Sequence, residues 1–369
     1  MNEPIAWWKP EIVGNEASLI QGVLDSNFLN DGDVATEFEN KIAARVDAKY
    51  AVSTTSGTMA LYMSLMALGL KPGDEVIVPD LTFIATANAV TMTGARVVLV
   101  DVASETLSLS PECFERAINP RTKAVIPVHI SGRAGSFEKV FNLARQNRIP
   151  IVEDAAEALG SKFRGKFLGT WGEMGCFSFS PNKTITTGQG GMIVTNDENL
   201  AARLRELKDQ GRPTRGTGGD DMHPTLGFNF KFTNLQAAVG LGQMTAMDRR
   251  LQRQARILEI YKEELLDCRG IRFFECDLKG GEVPQWTDVL AERRNELDGF
   301  LKAQNIFCRR FWHPLHRQIP YSHPDASFPN SSRLAESALW LPSAFQMTDQ
   351  ETRHVSSRIK RFYRQEGVS

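Results

Sequence analysis

Two side chains twenty-nine residues apart have the types and settings needed for amine chemistry on a carbonyl carbon. Asp154 closes the apolar run IPIVEDA, and Lys183 stands in the loop PNKTITTGQGG that follows the run CFSFS. In open α/β sheets, ligands bind at the carboxyl ends of strands, which is where both residues fall. A lysine amine is a nucleophile and a proton carrier only while part of it is neutral, and burial near other cationic groups brings its pKa to roughly 7 to 8. Each residue also has a plainer role open to it. An Asp before AAEALG can be a helix cap, and a loop lysine is ordinarily a solvated charge. Lys183, however, precedes Gly188, Gly190 and Gly191, which let a chain turn tightly and approach a ligand closely. Gly57 and Thr58 open the helical stretch TMALYMSLMALG and could offer N–H groups and a hydroxyl to an anion, although a Ser-Gly-Thr cluster alone is usually only a cap.

Positioning these groups calls for a sheet. Runs rich in β-branched residues recur at 49–55, 74–79, 95–102, 123–130 and 149–155, and between them 58–69, 110–118 and 135–147 carry apolar residues at helical spacing. Alternating strands and helices imply an α/β fold with a largely parallel sheet, because parallel neighbours need a crossover connection. Two more strands, 175–180 and 190–196, follow with a short link, giving a mixed sheet of about seven strands between helices. From Asn234 to Cys268 one long helical run reads as a connecting helix, with the cations near 249–256 as a solvated face. Residues 269–369 are compatible with a small α+β domain. The chain is thus divided into a large domain, 1–245, and a connecting helix with a small C-terminal domain, 246–369.

Composition narrows the function classes. Forty-three Lys and Arg against forty-four Asp and Glu leave no overall field to attract nucleic acid or an anionic membrane. Any anionic ligand must be held locally. The five cysteines are scattered with no metal-ligand spacing, so free thiols in a reducing cytoplasm are expected and no metal site is. The start MNEPIAWWKPE lacks the basic and apolar regions of an export signal, and no stretch approaches the roughly eighteen apolar residues that span a bilayer.

Five ordered blocks carry a family resemblance: SGTMAL at 56–61, GDEVIVPDLTFIATANAV at 73–90, VEDAAEALGS at 152–161, FSFSPNKTITTGQGGM at 177–192 and GFNFKFTNLQAAVGLGQM at 227–244. The chain resembles the DegT/DnrJ/EryC1/StrS sugar aminotransferases, which are fold-type-I enzymes dependent on pyridoxal 5'-phosphate. The resemblance implies that Lys183 forms the Schiff base with the cofactor aldehyde and shuttles the proton, and that Asp154 pairs with the pyridine nitrogen so that the ring can accept electron density. It also implies that Phe83 lies against one ring face and Glu157 near the phenolic oxygen. Gly57, Thr58 and Ser178 would hold the phosphate, completed by Asn229 from the neighbouring subunit of a homodimer with shared active sites.

Within the family, DAAEALGS with Glu157 looks like the perosamine synthase-like branch, which implies transfer from L-glutamate to C4 of a nucleotide-linked 4-keto-6-deoxy sugar; amination at C3 stays open. Two segments depart from the family pattern, VHISGRAG at 128–135 and FCRRFWHPLH at 307–316. The second has Arg310 where an Arg-Pro pair is usual. Arg309, Trp312 and His316 are candidate substrate contacts there, with a structural role open for each. A sugar dehydratase on the same scaffold would carry histidine at position 183, and a DNA-binding regulator would need a basic module that the first fifty residues lack.

Overall fold

The computed structural model describes residues 3–213 and 222–365. Seven strands build the main sheet: β1 (Tyr50–Thr54), β2 (Glu75–Pro79), β3 (Arg96–Val100), β4 (Thr122–Val125), β5 (Val152–Asp154), β6 (Met174–Ser178) and β7 (Gly191–Thr195). Ladders join β3-β2-β4 and β1-β7-β6-β5, and the parallel bridges Val125–Ile151 and Val128–Asp154 bring β4 beside β5. Only β7 runs antiparallel to its neighbours. The mixed α/β sheet expected from the strand and helix alternation is therefore present.

Strand residues alternate between two cores, as a pleated sheet covered on both faces requires. Ala51, Ile77, Val125, Ile151, Phe177 and Met192 face one cluster with Phe38 and Phe114. Their neighbours Val52, Val76, Ala124, Val152, Cys176 and Ile193 face the other, with Leu61, Met63 and Val90. Two-sided burial is why these runs read as continuously apolar.

A second sheet lies in the C-terminal part, with β8 (Ile271–Phe273), β9 (Thr287–Ala291), β10 (Arg309–Arg310) and β11 (Ala338–Leu341) all antiparallel in the order β8-β9-β11-β10. The N-terminal segment returns to this region. Ile5 pairs with Ile306 and is buried in the same cluster as Leu301, Leu339 and Ile359.

The expected single connecting helix is two helices, Asn234–Met244 and Met247–Glu264, with Thr245 and Ala246 between them. At the break the N–H groups of Thr245 and Ala246 bond three residues back, to Gly242 and Gln243, which tightens and ends the first helix. Only part of the cationic stretch is a solvated face: Arg249 and Arg256 stay exposed, while the other two arginines do not. Arg250 is buried and bonds the Glu11 and Thr184 carbonyls and the Gln243 side chain, and Arg253 pairs with Asp349. Their apolar stems and many donors are used to tie elements together, which charge counting along a helix does not reveal.

Candidate active site

Strands β1, β2, β5 and β6 point the same way, so the segments leaving their carboxyl ends meet along one sheet edge, the crevice where open α/β sheets take ligands. A cavity of about 450 Å³ opens there. Gly57, Thr58, Phe83, Asp154, Glu157, Ser178, Lys183, Arg309 and Trp312 line it, and these are nine of the eleven residues singled out from the sequence.

Lys183 is held by a loop with little freedom. Its N–H bonds Ser180 O at 3.1 Å, Thr187 N bonds Phe179 O at 3.0 Å, and Gly188 takes φ +78°, where a side chain would be strained. Thr184 is gripped through its hydroxyl by Gln285 at 2.7 Å and through its carbonyl by Arg250 at 3.0 Å, and Trp8 Nε1 donates to Pro181 O at 3.2 Å. The side chain is 12% exposed. Its Nζ lies 3.3 Å from Glu157 Oε1 and 4.8 Å from the Trp286 ring centroid. An acid and an aromatic face are thus the groups in contact with the amine.

Asp154 caps no helix, because residues 155–160 form turns rather than a helix. Its carboxylate is buried and accepts bonds from Thr86 Oγ1 at 2.8 Å and Ala156 N at 3.2 Å, with no cation in ion-pair distance among the described residues. Burial pushes its pKa up, against the pull of those two bonds and of the Lys183 charge. Glu157 is also buried; its Oε2 accepts the Ser131 N–H at 2.9 Å. Burial raises its pKa despite Lys183, and Asp154 adds like-charge repulsion.

At the next corner, Ser56 caps the helix Gly57–Ala67 by accepting from Met59 N. The N–H groups of Gly57 and Thr58 belong to the first turn, which has no intrahelical acceptors, and Ser178 adds a hydroxyl. A Cβ on Gly57 would come within 2.9 Å of Ser178 Cβ, so only glycine lets the helix end approach the strand this closely. The side-chain and backbone chemistry fits a phosphorylated aldehyde cofactor with a basic ring nitrogen. The helix end offers anion donors, Lys183 a shielded amine, Asp154 a buried carboxylate lacking a cation, and Phe83 a half-exposed ring at the cavity wall.

Two expected residues lie elsewhere. His316 does not line the cavity; it is buried, with Nδ1 2.6 Å from Asp80 and Nε2 2.9 Å from Asp325, and it stacks on Phe328. Two acids satisfy both ring nitrogens, so it fastens the segment after Trp312 to the end of β2 and is not a substrate contact. Asn229 is exposed and outside its own chain's cavity, bridged to Asp209. Sequence reasoning missed Trp286, Trp340, Ser180 and Gln189, all at the cavity. Five of the six tryptophans, Trp7, Trp8, Trp286, Trp312 and Trp340, form one chain of ring contacts, and the last three line the cavity. Their rarity and the closeness of Trp7 to Trp8 were the available signals.

The model of the DegT/DnrJ/EryC1/StrS aminotransferase family matches residues 10–360. The chain is 36% identical over 361 residues to GDP-perosamine synthase of Escherichia coli O157:H7, covering 96% of this chain and 98% of that protein. It is 40% identical over 323 residues to GDP-perosamine synthase of Caulobacter vibrioides, covering 85% and 86%. The solved structure of S. venezuelae DesV is similar with TM-score 0.89 and 33% identity over 94% of each chain.

Proposed function

The chain belongs to the DegT/DnrJ/EryC1/StrS aminotransferase family, as a pyridoxal-phosphate-dependent sugar aminotransferase, and on that premise we propose that it moves an amino group from L-glutamate to C4 of a nucleotide-linked 4-keto-6-deoxy sugar. The observation that carries the reading is the meeting of Lys183, Glu157 and Asp154 at the mouth of parallel strands. The 36% and 40% identical relatives, both GDP-perosamine synthases, support an amino-sugar nucleotide as the product, which we take to supply surface polysaccharide.

Pyridoxal phosphate supplies a carbonyl carbon and an electron-accepting ring. The protein's part is binding and proton movement. Gly57 and Thr58 N–H groups with the Ser178 hydroxyl would hold the phosphate, and Phe83 would lie against the ring. Asp154 would keep the proton on the pyridine nitrogen, which in turn would relieve the cost of a buried unpaired carboxylate. Lys183 would hold the group through Nζ and, once the amino donor's nitrogen has displaced it as a free amine, would take the donor's Cα proton and later return one to the sugar carbon. Glu157 fixes the amine's position between these tasks. One site thus serves both halves of the reaction in turn.

The proposal includes a homodimer with shared sites, for which the exposed Asn229 outside its own cavity is available to a second copy. It also includes a cytoplasmic setting, supported by five free cysteines. No helix among the described residues is long and apolar enough to cross a membrane. The test is a panel of GDP-, UDP- and dTDP-linked 4-keto and 3-keto sugars with L-glutamate, the product read by mass and NMR. Amination at C4 is expected; an amino group at C3, or no amino sugar from any member, overturns the reading.

A further inference from the structure

Among the described residues Arg309 is the one cavity-lining arginine, and its surroundings differ from those of its neighbour Arg310. Arg310 pairs with Asp298 at 3.1 Å. Arg309 has no carboxylate within ion-pair distance among the described residues; its guanidinium instead lies over two indoles, 4.7 Å from the Trp7 ring centroid and 5.6 Å from that of Trp340. Both rings are fixed. Trp340 is fully buried on β11 directly opposite Arg309, and Trp7 is anchored by its carbonyl accepting from Ser343 N and by the Ile5 pairing with Asn305 and Phe307. Trp7 lies before the stretch matched by the family model, which begins at residue 10.

A guanidinium held by its faces keeps its N–H edges free, and those edges form a planar fork that fits phosphate oxygens. Resting on the aminotransferase reading above, we propose that the Trp7–Arg309–Trp340 stack is an oxyanion-binding arm for the diphosphate of the sugar nucleotide. The amino donor's carboxylate is a poorer match on position. That carboxylate sits on the very carbon that gives its proton to Lys183 Nζ, whereas the rings of Trp286 and Trp7 intervene on the contact path from Nζ to Arg309. The diphosphate is a full hexose ring away from the reacting carbon. A cation at the exposed rim of the same cavity suits such a remote group.

The test is calorimetric titration of the cofactor-loaded protein with GDP, UDP and dTDP. The native enzyme binds at least one of them, and Arg309→Gln weakens that Kd by about tenfold to a hundredfold, the loss expected for a charge-assisted fork. Arg309→Lys keeps the charge but not the fork and recovers only part of the affinity, and Trp7→Ala loses a smaller share by releasing the stack. The cofactor's visible absorbance in each variant reports that the fold is kept. Equal affinity in native and Arg309→Gln proteins overturns the assignment, as does failure of the native protein to bind any of the three. A loss confined to the rate of bleaching by L-glutamate also overturns it, by moving the arm to the amino donor. Bleaching of the native enzyme by L-glutamate tests the aminotransferase reading separately.

Discussion

Lys183 Nζ lies 3.3 Å from Glu157, and burial raises the pKa of both Glu157 and Asp154, a pair of buried acids that suits a cationic ring nitrogen. Removing the amine should remove the chemistry and little else. Lys183→Ala is expected to lower transamination by at least about 10²- to 10⁴-fold, the range for a lost acid–base group, in a steady-state assay. Its urea midpoint should stay close to native, since a partly exposed loop side chain leaves no core cavity. Asp154→Asn should retain the fold but lose proton retention on the ring nitrogen, read as a changed cofactor absorption spectrum together with a fall in rate. Lys183 and Asp154 were legible because strand ends and glycine runs are local signals. Trp286, which touches the same Nζ, was not, because a hundred residues separate it from Lys183 and no local pattern links them. His316 was misassigned for a related reason: its two acid partners, Asp80 and Asp325, are visible only once the chain has folded.

At the scale of elements, the approach of the helix Gly57–Ala67 to β6 decides whether a phosphate cradle exists. Gly57→Ala should force the helix end away from Ser178, costing about 1 to 3 kcal/mol as overpacking does, and should weaken retention of pyridoxal phosphate in equilibrium dialysis more than it lowers thermal stability. The Lys183 loop depends in the same way on the helix Met247–Glu264. Arg250→Met leaves the Glu11 and Thr184 carbonyls and the Gln243 side chain short of a donor, so it should destabilise the protein by about 3 kcal/mol in urea unfolding and loosen the loop. Periodicity made the sheet strands and three of its helices readable, because each strand presents alternate residues to two cores. It failed at 234–268, where propensity continues across Thr245 and Ala246 but packing does not, and for β10, which has only two residues.

For the molecule as a whole, charge is balanced, and acid sensitivity therefore rests on particular buried carboxylates. Glu75 is one. Burial alone would raise its pKa, but Asn119, Arg96 and Arg121 hold it down to about 2 from an ordinary value of 4.5. A depressed carboxyl pKa contributes stability above the unfolded value, and that stability is lost as pH falls from about 4.5 toward about 2. Glu75→Gln should accordingly be less stable than native at pH 7, and the gap in urea midpoint should narrow at pH 3. The α/β class and family were legible from five ordered blocks; the return of the N-terminus to the C-terminal sheet was not, since Ile5 and Ile306 are three hundred residues apart. The central claim is that the amine at position 183 holds pyridoxal phosphate and hands its chemistry to an amino donor. It is tested most directly by the visible spectrum of the purified protein with pyridoxal phosphate, before and after L-glutamate. A yellow protein that bleaches, with Lys183→Ala failing to give the same bound band, is the predicted result; a protein that remains colourless with added cofactor, or a Lys183→Ala variant with the native spectrum and native bleaching, contradicts it.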